Sequence, residues 1–142
     1  MPIASNKSNY REERMGTFRT ECVLENHQDR THSLRVSGVM VDTGSEATWI
    51  KREYLEKIGI RPEKKKLRFI MANGQEVTRS IGYAIIHVGQ EATTDEIVFA
   101  QEGDLQLLGA RTLEGLNLRV DPRNKKLVSG GPIVAAGHVT FR

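Results

Sequence analysis

Apolar and polar positions alternate in short runs along most of this chain. Residues 17–24 (Thr-Phe-Arg-Thr-Glu-Cys-Val-Leu) roughly alternate, which predicts a half-buried strand. Residues 26–30 read as a turn, and 34–41 as the second arm of a hairpin. A short strand is predicted over 47–50. The period then changes: Tyr54, Leu55 and Ile58 fall three and four apart, the spacing of one helix face, so 51–58 is predicted helical and Gly59 its stop. Pro62 and the lysines after it form a connection. Leu67, Phe69 and Met71 alternate outward and Val77, Ile81, Tyr83 and Ile85 return, which predicts a long hairpin over 66–88. Its turn is placed at Asn73-Gly74, because both residues tolerate positive φ. A turn at 87–91, a strand over 93–100, a polar loop at 101–104 and a strand over 105–109 follow. Residues 110–115 read as a short helix closed by Gly115, and 116–120 as a strand stopped by Asp121-Pro122. Residues 126–128 add an edge. The Ser-Gly-Gly-Pro run at 129–132 breaks regular structure ahead of a tail with an apolar patch at 133–136.

Many short strands with one or two short helices predict a mainly β fold, a small closed or sandwiched barrel. A length of 142 residues suffices for one domain with a core and is too short for two. The expected division is a polar tail at 1–14, the domain at 15–128 and an extension at 129–142. No internal repeat is visible.

Composition narrows the class. Hydrophobic residues make up 38% of the chain and no run approaches the length of a transmembrane helix, so a soluble protein without a membrane partner is expected. The first residues have no apolar stretch of the kind that marks a secretory signal. Cys22 is the single cysteine, which excludes an intramolecular disulfide and fits a cytoplasmic location. The net charge is +3. Basic clusters at 61–68 and 123–126 lack interleaved aromatics, so they read as solvated surface and nucleic acid is not expected as a partner. His27, His32, His87 and His138 show no metal-binding spacing, and no phosphate loop is present. Neither cofactor nor metal is expected. Cys22 reads as a buried thiol.

The candidate chemistry sits in Val39-Met40-Val41-Asp42-Thr43-Gly44-Ser45-Glu46-Ala47-Thr48-Trp49-Ile50. An apolar run stops at an acid, a hydroxyl and a glycine, then turns apolar again. It carries Asp42 to the end of a buried strand, where a carboxylate is costly unless hydrogen-bonded or paired. Such a carboxylate is either a turn former that accepts backbone N–H groups or a reactive group.

Asp42-Thr43-Gly44 between two hydrophobic arms resembles the catalytic loop of aspartic proteases. Leu107-Leu108-Gly109, about sixty residues on, matches the family's second hallmark of two apolar residues and a glycine. One copy in so short a chain resembles the retropepsin-like branch, the retroviral proteases and their cellular relatives. The resemblance implies a closed β-barrel with a flap hairpin over a peptide site. It implies an aspartic endopeptidase that holds water between two carboxyl groups. Of the five aspartates, Asp29, Asp42, Asp95, Asp104 and Asp121, only Asp42 precedes such a Thr-Gly pair, so the second acid must come from another copy of the chain. The expected unit is a homodimer with two Asp42 side chains, acting on a peptide or protein substrate.

Other roles follow from the resemblance. Thr43 matches the residue whose hydroxyl locks the two loops together, and Gly44 the one whose carbonyl accepts from substrate backbone. Glu46 stands where the family often has an acid that contacts substrate or an arginine. Met40, Trp49, Leu105 and Leu107 match positions that line apolar pockets, with core packing an equal reading for Trp49. Asn73 and Gly74 fall at the flap tip. One departure is Ala110 in place of the arginine of retroviral enzymes, so that ion pair is lost or remade by Arg111. The alternatives are a catalytically silent fold of the same family that dimerises or binds peptides, and an unrelated basic β module.

Overall fold

The alternating segments at the start of the chain pair as a hairpin. Phe18–Glu25 (β1) lies antiparallel to Ser33–Val41 (β2), and Phe18 pairs with Val41, the residue before Asp42. The structure, a computed structural model, describes residues 18–135 and 137. The expected 1–14 tail, Thr17, Ala136 and His138 lie outside the described residues.

The buried Asn26 shapes the hairpin loop. Its Oδ1 accepts the amides of Gln28 and Asp29, and its Nδ2 donates to the Ile58 carbonyl. The loop is thereby fastened to the end of the helix Arg52–Lys57 (α1), which follows the strand Thr48–Lys51 (β3). Helix α1 buries Leu55, and Gly59 ends it at φ 79° with its amide on the Glu56 carbonyl.

The long hairpin comprises Lys64–Ile70 (β4) and Glu76–Val88 (β5). It starts earlier than expected, because the lysines belong to the strand and not to the connection. Between Lys64 and Leu67 the register shifts and Lys66 takes φ 58°, so the extra residue is absorbed as a bulge in this edge strand. The turn also differs. Only Gly74 has positive φ, at 85°, while the Asn73 side chain accepts the Gln75 amide. The side-chain bond stabilises the turn without a left-handed Asn73.

Glu91–Ala100 (β6) begins two residues earlier than expected, and the preceding turn is confined to Gly89-Gln90. Next come Leu107–Leu108 (β7), the helix Ala110–Leu116 (α2), and the hairpin of Leu118–Asp121 (β8) and Lys126–Ser129 (β9). The strand predicted over 105–109 is thus reduced to two residues, and Leu105 lies in the loop before it. Gly115 does not stop α2. It remains helical because the helix lies against β6, where a Cβ at this position would meet Thr93 Oγ1 at 2.4 Å. Asn117 makes the stop, in the left-handed conformation at φ 54°.

Seven strands form one sheet in the order β1-β2-β7-β3-β6-β5-β4, and β1 also pairs with β5. The fold is mainly β. Its larger core gathers Leu24, Ile50, Leu55, Ile86, Ile97 and Leu108. A second cluster holds Met40, Trp49, Ile81, Val98 and Leu107, with Leu67, Phe69 and Val77 of the long hairpin packed on it. Burial of side chains of this size contributes roughly 1.5–3 kcal/mol each. The second cluster therefore fixes the hairpin above the end of β2, where Asp42 emerges.

Candidate active site

Asp42 follows the last residue of β2. Its amide donates to the Leu108 carbonyl at 3.0 Å, and its Oδ1 accepts the Gly44 amide at 2.9 Å. The turn-forming role foreseen for this carboxylate is therefore filled by one oxygen. Among the described residues Oδ2 makes no hydrogen bond, and Asp42 lines a groove of about 800 Å³.

The two motifs that stand far apart in sequence lie side by side. Met40 and Val41 pair in parallel with Leu107 and Leu108. Beyond the strands, Ala110 N–H donates to the Ser45 carbonyl at 2.7 Å and Arg111 N–H to the Glu46 carbonyl at 3.1 Å. Gly109 permits this approach: a Cβ there would stand 2.3 Å from the Ala47 carbonyl oxygen. The glycine of the second motif is thus required by the backbone of the first.

Hydroxyl groups extend the contact inward. Thr48 and Thr112 are fully buried. Thr112 donates to Asp95 Oδ2 at 2.8 Å, so the 2.6 Å bond between the two hydroxyls is donated by Thr48. Thr48 Oγ1 in turn accepts the Gly109 amide at 2.9 Å. The sequence reading missed Thr48, Thr112 and Asp95. Thr48 interrupts an apolar segment, but no local pattern ties it to Thr112 or Asp95.

The groove runs between the Asp42 loop and the long hairpin. Gly44, Glu46, Trp49, Leu105 and Leu107 line it with Asp42. Trp49 is also core: it is 6% exposed and meets Phe69 edge to face, with centroids 5.1 Å apart. Other residues named from the resemblance lie outside the lining. Met40 is buried in the second cluster and does not line the groove. Asn73 and Gly74 are in the exposed turn outside the lining, which takes Phe69, Ile70 and Met71 from the hairpin instead. Thr43 is exposed and also stands outside it. Arg68, Asp104 and Arg111 line the groove and were not singled out as groove residues.

Charge around the groove is partly compensated. Arg111 Nη2 stands 3.4 Å from Glu96 Oε1 on β6, and Lys64 bonds the same carboxylate. Arg111, two residues after Gly109, is thus paired within the chain. Arg79 holds Asp104 through two bonds, which keeps that carboxyl below its usual range. Among the described residues Glu46 has no ionic partner, and no three His, Cys, Asp or Glu side chains gather to hold a metal ion.

Residues 35–115 match the family model described as "gag-polyprotein putative aspartyl protease". The chain belongs to this aspartyl protease family. The match spans both motifs and agrees with the resemblance read from them. No curated protein matches the chain. Among solved structures, a retropepsin-like aspartic protease from Rickettsia conorii is similar at 20% identity, over 74% of this chain and 87% of that one, with a TM-score of 0.46. No helix among the described residues is long and apolar enough to cross a membrane.

Proposed function

We propose that the chain is an aspartic endopeptidase that works as a homodimer, with its water held between two Asp42 carboxyl groups. The observation that carries the reading is the Asp42 loop itself. One carboxylate oxygen is spent on the turn, the other has no partner in the described chain, and the residue borders an extended groove.

Two carboxyl groups about 3 Å apart do not both ionise and share a proton. The ionised member takes a proton from water, which attacks the peptide carbonyl. The protonated member polarises that carbonyl and later serves the leaving amine. The titration belongs to the pair and not to either residue. Thr43, exposed beside the acid, is assigned the contact between the two loops, and Gly44 a carbonyl acceptor for substrate backbone.

The long hairpin is read as a flap and the sheet as a closed barrel. The pairing of β1 with both β2 and β5 supports closure, and the packing of Phe69 on Trp49 supports the flap. Peptide then lies extended between flap and acid floor, adding backbone bonds as a strand does. Trp49, Leu105 and Leu107 favour apolar side chains around the cut.

A peptide mixture incubated at mildly acid pH tests the reading. The parent chain is expected to cut, a pepstatin-type inhibitor to stop it, and Asp42→Asn to lower the rate at least about 10²-fold. Equal cutting by Asp42→Asn overturns it. A dimer that cuts nothing favours a silent member of the family.

A further inference from the structure

The arm of the long hairpin and the loop facing it across the groove are joined by one ion pair. Arg79 lies on β5, with its Cα opposite Leu67 on β4. Its Nε donates to Asp104 Oδ2 at 2.7 Å and its Nη2 to Asp104 Oδ1 at 2.9 Å. The two side chains are only 12% and 9% exposed, whereas every other ion pair among the described residues has a member at least 34% exposed. Both ends make a further bond. Arg79 Nη1 donates to the Thr78 carbonyl, and Asp104 Oδ2 accepts the Gln101 amide at 2.8 Å. Asp104 N–H returns a bond to the Gln101 carbonyl, so the loop is wound around this carboxylate.

Asp104 is followed by Leu105, which is 55% exposed and lines the groove with the hairpin's Phe69, Ile70 and Met71. An exposed leucine in a loop has no packing of its own to hold it. Its position comes from its neighbours: Asp104 on one side, and on the other Gln106, whose carbonyl accepts the Met40 amide and whose side chain accepts the Lys51 amide.

We infer that Arg79 and Asp104 are a positioning pair that fixes the Leu105 wall relative to the hairpin, and so sets which side chains the groove accepts. The specificity half of this inference rests on the endopeptidase reading; the mechanical half does not. A bidentate guanidinium–carboxylate pair specifies distance and orientation, which a lysine at the same position would not. Neither residue is given a part in bond cleavage.

Two variants of the full chain test it: Asp104→Asn, which keeps the shape and removes the charge, and Arg79→Lys, which keeps the charge and removes the fork. Amide hydrogen exchange reads the mechanical half without any need for activity. Exchange is expected to rise about tenfold or more at residues 101–106 and in the 71–75 turn, while β2 and β6 stay protected. Arg79→Lys should show the smaller rise. With peptides that differ only in the size of one apolar side chain near the cut, discrimination should fall several-fold through KM, with kcat held. Exchange unchanged in both variants, or raised evenly through the whole molecule, overturns the inference. So does unchanged discrimination in a variant whose 101–106 loop has loosened. A parent chain that cuts no peptide sinks the endopeptidase reading, and the exchange pattern then decides the mechanical pairing alone.

Discussion

Gly109 and Thr112 decide how the two motifs meet. A methyl group at Gly109 would stand 2.3 Å from a backbone oxygen and 2.5 Å from its carbon, and neither can turn aside as a side chain does. Gly109→Ala is therefore expected to cost about 3 kcal/mol, read from urea denaturation, and to loosen the Asp42 loop. Thr112→Val keeps the shape but leaves the buried Thr48 hydroxyl without an acceptor and Asp95 Oδ2 without a donor. The expected cost is about 1–3 kcal/mol, with Thr112→Ser recovering most of it. Cys22 offers a simpler test: burial pushes its thiol up to about 12. The native protein should resist alkylation at neutral pH and react only on unfolding. At this scale the sequence was informative about the acid and the glycines, since each depends on a short local pattern. It was silent on the Thr48–Thr112–Asp95 chain, because a threonine in an apolar run looks the same whether its hydroxyl is bonded at short range or to a segment sixty residues away.

Strand alternation foretold nearly every element, and the errors lie where tertiary contact overrode local preference. Gly115 is the instructive case. As a glycine inside a helix it reads as a stop, yet it continues the helix because β6 passes too close for a side chain. Two effects then oppose each other in Gly115→Ala: helix propensity favours alanine by about 1 kcal/mol, and the clash with Thr93 disfavours it. The clash involves Thr93 Oγ1 at 2.4 Å and Thr93 Cβ at 3.1 Å, so the substitution should lower the melting temperature in the parent and be better tolerated with Thr93→Ala. The hairpin turn was legible as a turn but not by type, since Asn73 forms a side-chain bond where a left-handed backbone was expected. The shortening of β7 was not legible at all. Leu105 has the residue type of a strand, and only Asp104 bonded to Arg79 shows why it stays in a loop.

Across the whole molecule, carboxyl groups held by cations set the response to acid. Arg79 lowers the Asp104 value, and Arg30 with His87 lowers that of Glu25. Folded values below the unfolded ones mean stability that is present above about pH 4 and lost as pH falls through the folded values. Denaturation midpoints should therefore drop on acidification below that point, and less steeply in Asp104→Asn. The fold class and the site loop were readable from one strand-turn pattern and two short motifs. The groove was not, because its lining comes from β3, β4, the 103–105 loop and α2 together.

Subunit mixing tests most directly whether each site takes its acid from two chains. Parent and Asp42→Asn chains are combined in equal amounts, allowed to exchange, and assayed for peptide cleavage. If both acids are needed, activity falls to about one quarter of that of the undiluted parent, the share of dimers with two intact chains under random pairing. Activity of about one half would mean that each chain works with its own Asp42 alone, and would contradict the account.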